Sequence, residues 1–238
     1  MNDLAFPVNE EIDNHINRYG RRYSPSKETK MFLQIIQAPA GDADALRAAS
    51  YRWADKLGST SVGWLGCTGG VTEEGVFFTA ERFESEQKMW VESGRPGRRR
   101  WFSEIREGLT GDPVFTNCRE VEVFAPDPTA IDKAGFVQIV QGRVRDAALM
   151  RTLMRSMEKE LLLHRQDMLG STLAFHPDDG YTHLLYFTSE DDAADAELRE
   201  IPPRVKSVMD AVYELNVTMP SHHALTSPWV HSRRETDR

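Results

Sequence analysis

Phe32-Leu33-Gln34-Ile35-Ile36-Gln37 returns 104 residues later as Phe136-Val137-Gln138-Ile139-Val140-Gln141. At the same offset Asp42 meets Asp146 and Leu57 meets Leu161. Leu65-Gly66-Cys67-Thr68 meets Leu169-Gly170-Ser171-Thr172, and Phe83-Glu84-Ser85-Glu86 meets Phe187-Thr188-Ser189-Glu190. Separated blocks at one spacing identify an internal duplication. The period is too long for a solenoid, so each copy is a domain-sized unit.

Both copies read in the same order. The repeated block, rich in β-branched and aromatic residues, predicts a strand near 31–38 and again near 135–142. Asp42 or Asp44 then offers an N-cap to a helix carrying Leu46, Ser50, Trp53 and Leu57 on one face, with Met150, Leu153, Met157 and Leu161 in copy two. A strand over 62–69 (167–175) reaches a turn at Glu73-Glu74-Gly75 or Asp178-Asp179-Gly180, where glycine suits a positive φ. The return strand covers 76–83 (181–187). Ser85 and Ser189, each followed by acids, cap a second helix. Gly94-Arg95-Pro96-Gly97 and Pro202-Pro203 interrupt that helix, because proline removes a donor and crowds the preceding turn. Last strands are expected over 114–124 and 212–219. The order is β-α-β-β-α-β, an α+β ferredoxin-like unit occurring twice.

This order divides the chain into an N-terminal arm (1–30), a first repeat (31–124), a Pro-rich linker (125–134), a second repeat (135–220) and an irregular tail (221–238). Hydrophobic residues are 40% and charged residues 28% of the 238, the balance of an ordinary globular protein. No apolar run reaches the roughly 18–20 residues of a membrane helix. The start, MNDLAFPVNEEIDN, lacks a basic and apolar leader, so a cytoplasmic protein is expected. A net charge of −8 argues against general nucleic-acid binding, which needs surplus Lys and Arg. Arg95, Arg98, Arg99 and Arg100 do cluster, and such a run reads first as a solvated face or as the holder of one acidic ligand.

Two copies of a four-stranded unit can press their open sheet faces together. In the blocks Trp64-Leu65-Gly66-Cys67-Thr68, Arg82-Phe83-Glu84-Ser85 and Arg95-Pro96, with the repeated FxQI[IV]Q strand, the chain resembles a fused two-copy member of the dimeric α+β barrel superfamily, which includes antibiotic-biosynthesis-monooxygenase-like proteins. The resemblance implies tandem ferredoxin-like repeats whose two antiparallel sheets pack as an intramolecular barrel. It also implies a small-molecule site in the lumen between the sheets. Cofactor-free oxygenases, haem-degrading enzymes and lactone isomerases share that architecture, so the fold alone does not choose an activity.

Strand parity nominates the lining. Gln34 and Gln138 are polar residues among apolar ones, open to a ligand, to water or to one another across the pseudo-twofold. Trp64, Gly66 and Thr68, counted in alternation, share a face, and Thr172 repeats the last of them. His183, mid-strand, is the candidate for proton transfer, and Arg82, ending its strand, the candidate for handling charge. Structural glutamines, a core tryptophan and a structural histidine are the competing readings of the same residues. No dinucleotide fingerprint, P-loop, HExxH or GxSxG is present. Two cysteines alone make no thiolate metal site, and no metal is expected. No cofactor is predicted, although haem ligation stays open at His164 or His183.

The favoured activity is a cofactor-independent, monooxygenase-like reaction on a small aromatic or polyketide-like compound. Non-catalytic metabolite binding and an assembly role are the alternatives. An open lumen with convergent polar groups favours the enzyme, and a lumen filled by side chains favours assembly. Fusion makes a monomer sufficient for the barrel, and higher homo-oligomers stay open.

Overall fold

The structure is a computed structural model, and it describes residues 31–127 and 129–233. The expected N-terminal arm lies outside the described residues. The first repeat holds β1 (Phe32–Pro39), α1 (Ala43–Arg52), β2 (Trp64–Val71), β3 (Val76–Phe83), α2 (Glu86–Ser93), α3 (Pro96–Glu107), β4 (Val114–Cys118) and β5 (Glu120–Phe124). The second holds β6 (Phe136–Arg143), α4 (Ala147–His164), β7 (Met168–Phe175), β8 (Gly180–Phe187), α5 (Glu190–Glu197), α6 (Pro203–Glu214), β9 (Ser221–Leu225) and β10 (Trp229–Ser232). Asp42, Ser85, Asp146 and Ser189 each accept a hydrogen bond from the backbone N–H three residues on, the N-caps that their positions predict. Pro96 and Pro203 sit in the first turn of α3 and α6, where the missing N–H costs nothing.

The strands form two antiparallel sheets, β10-β2-β3-β1-β4 and β5-β7-β8-β6-β9. Each sheet carries its own repeat's helices outside and faces the other sheet inside, giving a fused α+β barrel of two ferredoxin-like units. The repeats exchange ends. After a kink at Arg119 the chain leaves the first sheet, and β5 pairs with β7; β10 returns from the C-terminal side to pair with β2. Leu33, Ile35, Phe78, Ala80 and Cys118 of one sheet pack with Val137, Ile139, Leu184, Tyr186 and Leu225 of the other in one apolar cluster. Ile131, from a short 3-10 turn in the linker, joins it.

The structure corrects the end of the second repeat. Residues 212–219, expected as a strand, begin inside α6, whose Val205, Val208 and Val212, with Leu215 at its C-cap, pack at helical spacing against α4. The last strands are β9 and β10, within the stretch from 221 expected to be irregular. Trp229 is buried in the first repeat's core beside Phe77.

A bulge near the start of β2 and β7 admits these exchanged strands. The register shifts between Trp64 and Gly66, and again between Met168 and Gly170. Gly66 has φ +148°, and a Cβ there would meet the His231 carbonyl oxygen at 2.4 Å; Gly170 has φ +158°, with the Phe124 carbonyl oxygen at 2.6 Å. Gly66→Ala is therefore expected to lower stability by about 1–3 kcal/mol. Denaturant unfolding checks the value, and faster amide exchange in β10 checks that the strand is what loosens.

Candidate functional site

The bulge also decides where the nominated residues lie. It breaks the alternation between Trp64 and Gly66, so Trp64 turns toward the helices while Gly66 and Thr68 face the other sheet. Gln34 and Gln138 lie on the helix-facing sides of their sheets. Gln34 donates to Asn117 Oδ1 at 3.0 Å and approaches Met89 Sδ at 3.6 Å. His183 also faces the helices, against Met154, Met157 and Leu161. Only Thr68, Thr172 and Arg82 point into the space between the sheets. Thr68 Oγ1 and Tyr186 Oη form a 2.9 Å hydrogen bond across it. Arg82, the counterpart of Tyr186, instead ties down β10 through Ser232 Oγ (3.0 Å) and the His231 carbonyl (3.4 Å), and Thr172 Oγ1 has no partner.

Apolar side chains of both sheets, Leu33, Ile35, Val137, Ile139 and Leu184 among them, pack together in this space. The amide pair across the pseudo-twofold does exist, but Gln37 and Gln141 make it. Each Nε2 donates to the other's Oε1, at 3.2 and 3.1 Å. Gln141 Nε2 also donates to Thr182 Oγ1 at 2.9 Å, and His176 Nε2 shares a hydrogen bond with the same hydroxyl, also at 2.9 Å. Burial lowers the His176 pKa, with the Asp178 charge acting against it.

The polar and aromatic residues gather between the first sheet and its helices. Glu81 on β3, flanked by Gln34 on β1 and Cys67 on β2, is buried with Arg98 of α3. Arg98 Nη1 donates to Glu81 Oε1 at 2.9 Å and lies 2.7 Å from Oε2. The guanidinium stacks 4.0 Å from the Trp101 ring centroid and 4.9 Å from that of Trp53. Trp53 meets Trp101 at 5.6 Å and Trp64 edge-on at 6.3 Å. Burial pushes the Glu81 carboxyl up, with Arg98 pulling against it. Burial, then the neighbouring Glu81 charge, pushes the Cys67 thiol up to about 12, so it stays a neutral thiol rather than a nucleophile. The indole N–H groups of Trp53, Trp64 and Trp101 are buried without an acceptor, where such donors ordinarily find one.

The second repeat shows that the fold does not require this cluster. Glu81 is matched by Leu185, Cys67 by Ser171, Trp53 by Met157 and Trp64 by Met168 at the repeat offset. Aligning α3 with α6 on their first-turn prolines matches Arg98 with Val205 and Trp101 with Val208. Both members of the ion pair are apolar there. The helix differs as well. After Arg52 the first repeat passes into a π-turn, Trp53–Leu57, whereas α4 runs as uninterrupted α-helix to His164. Single π-turns concentrate at functional sites.

A solvent-open cleft of about 220 Å³ lies between the π-turn and α3, lined by Trp53 and Trp101 with Arg52, Lys56, Arg100 and Glu104. A second hollow of about 300 Å³ lies at the seam of the repeats beside Asn117, Arg119 and His176. Two of its charged residues are engaged, Arg119 with Glu86 and Glu120 with Arg151. Beside His183 the free space is about 10 Å³, room for about one water and not for a porphyrin.

Glu81 and Trp101 stand outside the sequence-based candidates, and Arg98 stands within a run read as solvated. Arg99 and Arg100 are exposed as that reading expects, but Arg98 is not. The detectable signal is the mismatch between copies, a charge at 81 and 98 where the other copy has Leu185 and Val205.

Geometry thus defines a fused, two-unit α+β barrel with one polar, tryptophan-lined unit and one apolar unit. Among solved structures the chain is similar to a "putative monooxygenase" from Lactobacillus acidophilus at 10% identity and TM-score 0.67, covering 86% of this chain and 97% of that one. A second "putative monooxygenase", from Fusobacterium nucleatum, matches at 9% identity and TM-score 0.69, covering 87% and 96%. An anthrone oxidase-like protein matches at 9% identity and TM-score 0.61, covering 87% and 94%. At these identities the likeness establishes the fold. No protein-family model and no curated protein matches the sequence. Among the described residues no helix is long and apolar enough to cross a membrane.

Proposed function

We propose that the protein binds a small, electron-rich aromatic compound at the tryptophan-lined unit and oxidises it with molecular oxygen in a monooxygenase-like reaction without a bound cofactor. The observation that carries this is the asymmetry. One copy keeps a buried Glu81–Arg98 pair under Trp53 and Trp101, and the other folds without it. Buried ion pairs add little net stability over apolar residues, so a fold-neutral duplication gives no reason to keep one. The names of the three structural relatives point in the same direction.

In this reading the ligand lies in the cleft against the parts of Trp53 and Trp101 that line it. The substrate reacts with oxygen in its ionised phenolic or enolic form, while Arg98, neutralised by Glu81, holds the tryptophans in place behind it. A reaction of the type R₂CH₂ + O₂ → R₂C=O + H₂O needs no external reductant, because the substrate carbon supplies all four electrons. The substrate proton leaves through the open cleft to water. One feature favours binding without chemistry as a second reading: Glu81 is engaged by Arg98 and the Cys67 thiol stays protonated, so neither is a free base or nucleophile.

A hydroxyanthrone titrated into the protein tests both readings. Quenched tryptophan fluorescence with oxygen uptake of one O₂ per product carbonyl, faster than in buffer, is the expected result. Quenching without uptake selects the binding reading. Neither signal, with no small molecule carried through native mass spectrometry, overturns the proposal.

A further inference from the structure

We infer that the cleft between the π-turn and α3 selects aromatic ligands carrying a negative charge, with Lys56 and Arg100 as the residues that read it. The inference rests on the aromatic-binding reading above and adds the charge of the ligand. Four ionisable side chains ring the tryptophan floor: Arg52, Lys56, Arg100 and Glu104. Arg52 Nη2 and Nε lie 2.9 and 3.2 Å from the same oxygen, Glu104 Oε2, so those two charges cancel. Among the described residues no ion pair engages Lys56 or Arg100, which leaves two positive charges at the mouth of a cleft in a chain of net charge −8.

Two further observations agree. Trp53 and Trp101, the floor, each hold a buried indole N–H without an acceptor, and a carboxylate or phenolate is the kind of group that supplies one. The second repeat, which lacks the tryptophans, lacks the charges too. Glu160 stands where Lys56 is, and Ser207 where Arg100 is. Floor and rim are thus present in one copy and missing together from the other. The volume of about 220 Å³ lies below the ~300 Å³ lower end for drug-sized ligands, which fits a small fused-ring body such as a naphthalene or an anthrone.

The test compares 2-naphthoate with the neutral 2-naphthalenemethanol by tryptophan quenching, in the full chain and in its K56Q/R100Q variant. Both residues are exposed, so the variant is expected to fold normally. The anion should bind about tenfold more tightly than the neutral compound, and the difference should vanish in the variant and shrink in high salt. Equal binding of the two compounds overturns charge selection while leaving aromatic binding intact. Failure of both to bind overturns the inference together with the reading beneath it.

Discussion

Replacing Glu81 alone by leucine is expected to destabilise the protein by about 3–5 kcal/mol, and adding Arg98→Met to the same chain should restore most of that loss. The single change leaves a guanidinium buried against Trp53 and Trp101 with no counter-charge, and removing one partner is where the cost of a buried pair appears. The double change removes both charges. Methionine keeps length under the indole rings, which the valine found at the matching place in the second repeat would leave empty. Urea unfolding of wild type, E81L and E81L/R98M measures the terms directly. A double variant no more stable than E81L would show that the ion pair serves the fold.

The same double variant separates stability from function. If the pair serves the ligand, E81L/R98M folds with near-normal stability and loses hydroxyanthrone quenching by tenfold or more. Unchanged quenching in the double variant would remove Arg98 from the site. The second repeat already performs the structural half of this experiment: Val205, Met157 and Val208 fill the equivalent layer, Leu185 packs half-buried on the adjoining cluster, and β8 and α6 hold their places.

Most of the architecture is legible in sequence because the duplication supplies two readings of every element. Strand alternation, the acid-Gly turns and the serine and aspartate caps recur in both copies, and each corresponds to an observed element. Two local features escape alternation. The bulge between Trp64 and Gly66 inserts a residue into β2, so counting by twos from Trp64 places it on the wrong face. The stretch from Val212 to Met219 alternates well enough to suggest a strand. Its valines continue a 3-4 spacing that starts at Val205, and packing against α4 makes it end a helix instead. The site is harder to read, because its members are far apart in sequence. Glu81 and Arg98 look like surface charges until β3 and α3 are brought face to face.

Acid should weaken the protein through His183, and His183→Leu should remove that sensitivity. The imidazole is buried on β8 among Met154, Met157, Leu161 and Phe124, its Nε2 has no partner, and burial pushes its pKa down to about 4. In the unfolded chain the same group titrates near 6.5. The folded state therefore binds the proton more weakly than the unfolded one. The stability linked to neutral His183 is fully present above pH 6.5 and drains away as pH falls toward 4, by roughly 3 kcal/mol across that window. His176 and His231, also lowered by burial, act in the same sense, so some acid sensitivity survives the substitution. Glu81, whose carboxyl is held up, acts in the opposite sense over the lower part of the range. The informative quantity is thus the difference between wild type and H183L in urea unfolding, followed from pH 7.5 to pH 4.5. A gap that widens toward acid in favour of the leucine variant is the expected result. A constant gap would mean that protonated His183 finds water or an acceptor in the native state, and that the layer around Met154 and Met157 opens more readily than its packing implies.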